Sequence, residues 1–111
     1  MTDRIAIVTG GRRGIGSAIA SRLAQGGFHV AIVDLEQDSD AAATVAAIEA
    51  AGRQARFIAA DIADLETHET ILDQAAILPG ALSTLVNNAG VSSLVRGDTV
   101  ARFARLFSHG V

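Results

Sequence analysis

The sequence has no Tyr, Lys, Cys or Trp, and only one Pro, among its 111 residues. All 9 basic residues are therefore Arg. Without Cys the chain forms no disulfide and no thiolate metal site. Without Lys it has no P-loop, because a lysine is part of that motif. Any mechanism that takes a phenol or an ammonium group from this chain is excluded as well. No apolar run approaches the ~18 residues of a membrane span, so no membrane partner is expected. The start, Met1-Thr2-Asp3-Arg4, does not read as a secretory signal, and a cytoplasmic location is expected. A formal net charge of −3 gives no electrostatic reason for a nucleic-acid partner. His29, His68 and His109 lack metal-ligand spacing, so no metal site is expected. His68 reads as a packing residue at the edge of the core.

What is present is a globular composition, with 50% apolar residues and 19% charged. The length fits one domain. Residues 4–9 (Arg-Ile-Ala-Ile-Val-Thr) form a β-branched run, as expected of a strand buried on both faces. A glycine-rich loop follows. Ile15, Ala18, Ile19 and Leu23 then recur at helical spacing, and Gly26-Gly27 marks the stop. The cycle repeats: a strand over 29–34, a helix over 40–51 with Ser39 or Asp40 near its N-cap, and a strand over 54–60. A third helix is capped by Asp64, with Leu65, Leu72, Ala75 and Ala76 on its inner face. Pro79-Gly80 turns the chain into a fourth strand over 81–87. Strands alternating with helices predict a doubly wound, Rossmann-like α/β sheet, parallel and in the order 3-2-1-4.

Three candidate sites fall along one edge of that sheet. The first is Thr9-Gly10-Gly11-Arg12-Arg13-Gly14-Ile15-Gly16. A helix N-terminus offers unpaired N–H groups and the positive end of the dipole, so it suits a phosphate where side chains do not block the approach. The second is Asp34, ending strand two, whose carboxylate can accept both hydroxyls of an adenosine ribose. A 2′-phosphate would be repelled there, which favours NAD. Arg12 and Arg13 cut the other way, because an Arg in this loop could meet that phosphate bidentately, so NADP stays open. The third is Asp61-Ile62, where the Asp could accept from an adenine amino group. Each also has a plainer reading: a glycine turn without a ligand, a polar strand end, a loop carboxylate.

These motifs, joined by Asn87-Asn88-Ala89-Gly90 in this order and spacing, resemble the N-terminal part of a short-chain dehydrogenase/reductase. The resemblance covers residues 4 to about 98. It implies that Gly10, Gly14 and Gly16 carry the cofactor pyrophosphate, with Arg13 and Ile15 lining the same turn. Asp34 would take the adenosine ribose, and Asp61 and Ile62 the adenine. Asn87, Ala89 and Gly90 would form the wall beside the cofactor, with Thr9 hydrogen-bonded near them. Gly11-Arg12-Arg13 and Val91-Ser92-Ser93-Leu94 resemble members labelled 3-oxoacyl-carrier-protein reductase.

In that family a Tyr-x-x-x-Lys and a Ser act on a small carbonyl or alcohol substrate, on segments this sequence does not contain. No catalytic residue is therefore assigned. Residues 1–98 are expected to form a dinucleotide-binding half-domain. Residues 99–111 carry Arg102, Arg105 and His109 and no acid, and Val100, Phe103, Ala104 and Phe107 could line a short helix. This tail is unrecognised, and a shifted or early-ended reading frame is the expectation. The resemblance also implies that strand four, made for the interior of a sheet, becomes an edge here, and it leaves the oligomeric state open. Three functions remain in view: a hydride-transferring oxidoreductase represented by its cofactor half, a binding module without chemistry, or a remnant that needs a partner on strand four.

Overall fold

The computed structural model describes residues 3–88. Four strands, β1 (Arg4–Thr9), β2 (Phe28–Asp34), β3 (Ala55–Ala59) and β4 (Ala81–Asn87), form one sheet. All pairs are parallel and the order is β3-β2-β1-β4, as the sequence predicts. Three helices connect them: α1 (Gly14–Gln25), α2 (Ser39–Ala50) and α3 (His68–Ala75), the last entered through a 3-10 turn at Leu65–Thr67.

Alternating side chains on the central strands divide the core into two layers. Val8, Val30 and Ile32 pack against Ala20 and Ala24 of α1 and Ile48 of α2. Ile5, Ile7, Ala31 and Val33 face the other way, against Ile71 and Ala75 of α3. The first two crossovers travel in one direction across the sheet and the third travels back. Crossovers of one hand must then lay α1 and α2 on one face and α3 on the other. The reversal of direction falls between β1 and β4, so the loops after these two strands frame a crevice.

Several local expectations need correction. The face of α1 against the sheet is Gly16, Ala20 and Ala24, flanked by Ile19 and Leu23, while Ile15 and Ala18 point outward. Small residues at i, i+4 and i+8 let the helix lie close to the strands, so close contact overrides the larger apolar side chains. The N-cap of α2 is Asp38, whose carboxylate accepts from the Ala41 N–H at 3.0 Å. Ser39 and Asp40 belong to the first turn instead. In the third helix the 3-10 turn shifts the phase. His68 and Ile71 join the expected Ala75 on the buried face, Leu72 packs at its edge as expected, and Ala76 is exposed. Strands two and three run over Phe28–Asp34 and Ala55–Ala59.

β4 differs from its neighbours. Its register with β1 shifts between Ile5 and Ala6, which pair with Leu82 and Thr84 and leave Ser83 as the extra residue of a bulge. Leu85 and Val86 are only partly buried, whereas Ile5, Ala6, Ile7 and Val8 are wholly buried. Among the described residues the outer side of β4 pairs with no strand.

Candidate cofactor site

The carboxyl ends of β1, β2 and β4 lie side by side, with Thr9 opposite Val33 on one flank and Asn87 on the other. The turn after β1 begins with Gly10, whose N–H donates to the Val33 carbonyl at 2.7 Å. Gly10 and Gly14 have φ of 66° and 62°, a left-handed backbone that side chains disfavour. Gly16 is required for a different reason. A Cβ there would lie 2.1 Å from the Gly10 carbonyl oxygen and 2.6 Å from Asn88 Nδ2. The turn folds so tightly over the start of α1 that no side chain fits.

Neutral hydrogen bonds tie this turn to β4. The Thr9 hydroxyl donates to Asn87 Oδ1 at 3.0 Å and accepts from the Asn88 N–H at 3.0 Å. Asn88 Nδ2 in turn donates to the Gly10 carbonyl at 3.3 Å. Thr9 and Asn87 therefore meet as expected. Asn88 joins the glycine turn directly, a link not anticipated from the sequence. Ala89 and Gly90 lie outside the described residues, as does the tail over 99–111.

The α1 N-terminus suits an anion. Its N-cap, Arg13, is extended and makes no side-chain cap, and the first turn holds no acid. The first N–H groups of the helix are thus left to other partners. A Cβ built on Gly14 meets nothing within 4 Å, so open space adjoins the turn. Ile15 stands 74% exposed beside it, an apolar side chain that does not fill the core. Backbone donors, open space and an apolar flank together fit the pyrophosphate of a dinucleotide.

Charge gathers on the β2 side. Asp34 Oδ2 accepts from the Arg12 N–H at 3.1 Å, and Oδ1 accepts from the Leu35 N–H at 2.8 Å. Each oxygen keeps a second lone pair for a hydroxyl donor. The Arg12 guanidinium pairs with Asp38 Oδ2, and it lies 3.9 Å from both Asp34 Oδ2 and Asp40 Oδ2. The Ala41 N–H above all, with help from the Arg12 charge, holds the Asp38 carboxyl below the usual carboxylate range.

Buried Thr44 of α2 completes the junction: its hydroxyl lies 2.8 Å from the Arg12 carbonyl and 2.7 Å from Ser17 Oγ of α1. Arg12 is thus held at its N–H, its carbonyl and its guanidinium. Arg13, by contrast, is exposed.

The third position closes the same edge. The Ala60 N–H donates to the Asp34 carbonyl at 2.9 Å, so the chain leaving β3 begins beside the ribose candidate. Asp61 is exposed, and its Oδ1 accepts from the Ala63 N–H at 2.9 Å. Ile62 packs on the core, and its carbonyl lies 2.8 Å from His68 Nε2. His68 is wholly buried, deeper than the core edge expected for it, and it fixes the loop that carries Asp61. Among the described residues no cluster of three or more His, Cys, Asp or Glu could hold a metal, and no helix is long and apolar enough to cross a membrane.

Fold and site define a Rossmann-like, doubly wound α/β unit, with a glycine turn and an acid at the carboxyl edge. The chain belongs to the short-chain dehydrogenase family, whose model matches residues 4–108. That match runs into the tail over 99–111. A curated relative, L-2,3-butanediol dehydrogenase of Corynebacterium glutamicum, is 41% identical over 93 residues, covering 83% of this chain and 36% of its own. A 3-oxoacyl-(acyl-carrier protein) reductase of Brucella melitensis, solved in complex with NAD, superposes with a TM-score of 0.84 at 30% identity. It covers 99% of this chain, which in turn spans 49% of that structure. A short-chain dehydrogenase of Mycobacterium paratuberculosis bound to NAD gives a TM-score of 0.72 at 30% identity over 78% of this chain and 36% of its own. The chain therefore spans about a third of the curated relative's length.

Proposed function

We propose that this chain is the cofactor-binding portion of a short-chain dehydrogenase/reductase. It holds an adenine dinucleotide, and as a 111-residue chain it transfers no hydride. The observation that carries this reading is the α1 N-terminus, uncapped and free of acid, behind a turn too tight for any side chain at position 16. Gly10, Gly14 and Gly16 would admit the pyrophosphate, Arg13 and Ile15 would flank it, and Asp34 would take the adenosine ribose hydroxyls. Asp61 and Ile62 would receive the adenine, and Asn87, Ala89 and Gly90 would form the wall toward the nicotinamide. Bound there, the nicotinamide ring would supply the hydride acceptor or donor of the family reaction.

NAD is the preferred cofactor in this reading. Asp34 meets the ribose with negative charge, and Arg12, the natural partner for a 2′-phosphate, is already engaged by carboxylates. Transfer to a carbonyl also needs a proton donor beside it. Lacking Tyr and Lys, this sequence offers neither the phenol nor the ammonium that the family employs. Turnover of a small carbonyl or alcohol is assigned to longer relatives.

Calorimetric titration of the purified chain with NAD, NADH and NADP tests the proposal. Binding of NAD with no reduction in the presence of alcohols is expected. Turnover of any alcohol or ketone would overturn the inactive assignment. No binding at millimolar cofactor would overturn the site, and would favour a protein that needs a partner on the outer side of β4.

A further inference from the structure

Arg12 occupies the loop position from which a cation could reach a 2′-phosphate, yet it is turned into a cluster of carboxylates. Its guanidinium pairs directly with Asp38, with Asp34 and Asp40 each 3.9 Å away. Two of these acids stand at the start of α2 and the third ends β2, so the cluster joins two loops. The Arg12 backbone is fixed independently, by Asp34 through its N–H and by Thr44 through its carbonyl. The backbone bonds hold the loop, which leaves only the side chain's direction to the carboxylates.

We propose that Asp38, supported by Asp40, is a specificity determinant acting as a latch: it holds the Arg12 guanidinium among carboxylates and so withholds it from a 2′-phosphate. This deepens the cofactor reading above and rests on it. One cation shared by three acids leaves the corner negative. A 2′-phosphate bears close to two negative charges, and it would have to displace Asp38 from Arg12 while entering that field. The choice between NAD and NADP then depends on four residues, two of them beyond β2. The short connection after β2 brings the Asp38 carboxylate back over the β1–α1 turn, where it performs two tasks. One oxygen caps α2 and the other holds Arg12. The depressed pKa of Asp38 agrees with an acid that stays ionised in both contacts.

The two tasks can be separated. Asn caps a helix about as well as Asp, so Asp38→Asn keeps α2 while removing the charge. In the full 111-residue chain, Asp38→Asn combined with Asp40→Asn should raise NADP affinity relative to NAD about tenfold, because a charge-assisted bond becomes available to the phosphate. The NAD affinity itself should change little, and circular dichroism should report an unchanged fold. Adding Arg12→Gln should erase the gain, because the released guanidinium is its source. An unchanged NADP/NAD ratio would overturn the latch. A gain that survives Arg12→Gln would overturn it too, showing mere relief of long-range repulsion. Failure of the unmodified chain to bind NAD would instead overturn the cofactor site, and the latch with it.

Discussion

The loop after β1 has two flanks, and they are held by different physics. Toward β4 the contacts are neutral and steric: Gly16 against Gly10, and the Thr9 hydroxyl among Asn87 and Asn88. Toward β2 they are ionic: Arg12 among Asp34, Asp38 and Asp40. Steric contact tolerates almost no change, because a Cβ driven against a backbone carbonyl has nowhere to go. Charges that water still reaches are softened by solvent and salt, so single changes there should tune affinity rather than destroy structure. The neutral flank should therefore govern whether a dinucleotide fits, and the charged flank which dinucleotide is preferred.

Four measurements test this contrast. The largest effect is expected from Gly16→Ala, which drives a methyl group into the Gly10 carbonyl. Unfolding by denaturant should show a loss of about 3 kcal/mol, the upper end for overpacking, and titration should show NAD binding abolished. A variant that still binds NAD would break the steric half of the comparison. Next is Thr9→Val, which keeps the volume but removes the hydroxyl that serves Asn87 and Asn88. A loss of about 1 kcal/mol is expected from the same measurement, because the Asn88 N–H loses its acceptor.

On the charged flank, Asp34→Ala should weaken NAD about tenfold by calorimetry, and NADP less. Equal losses would count against the ribose assignment.

The smallest effect concerns pH. The fold lowers the Asp38 pKa from its ordinary 3.8, so its contribution to stability is present above that value and is lost as the pH falls through the lower, folded value. Thermal melts of the native chain and Asp38→Asn should therefore converge in acid and separate toward neutrality. A constant gap would show that the charge of Asp38 does not contribute.

How far the sequence reveals this arrangement depends on the range of the interaction. The strands, their order and the glycine turn are legible because each rests on local chemistry: a β-branched run, a missing Cβ, an acid where a strand ends. The α1 face is only half legible: Ile19 and Leu23 do pack inward, but apolar size does not reveal the close approach at Gly16 that turns Ile15 and Ala18 outward. Ile71 was missed because a 3-10 turn over Leu65–Thr67 resets the helical phase, and no single residue announces it. The Arg12 cluster and the Thr44 bridge link positions 22 to 32 residues apart. Their side-chain directions exist only once both loops are folded. Asn88 could have been found, since an Asn directly after a strand that neighbours the glycine turn is a ready donor to it.

The order of the strands also sets a schedule for making the molecule. β1 is synthesised first, yet one of its neighbours, β4, lies 77 residues further along the chain, as the Thr9 contact to the Val86 carbonyl shows. At roughly 5–20 residues per second, β1 waits about 4–15 s on the ribosome for that side to be covered. β2 arrives much sooner and can shelter only the other edge. The strand that ends buried from Ile5 to Thr9 therefore waits with one side uncovered during translation, and bonds between Thr9 and β4 can form only when that interval closes.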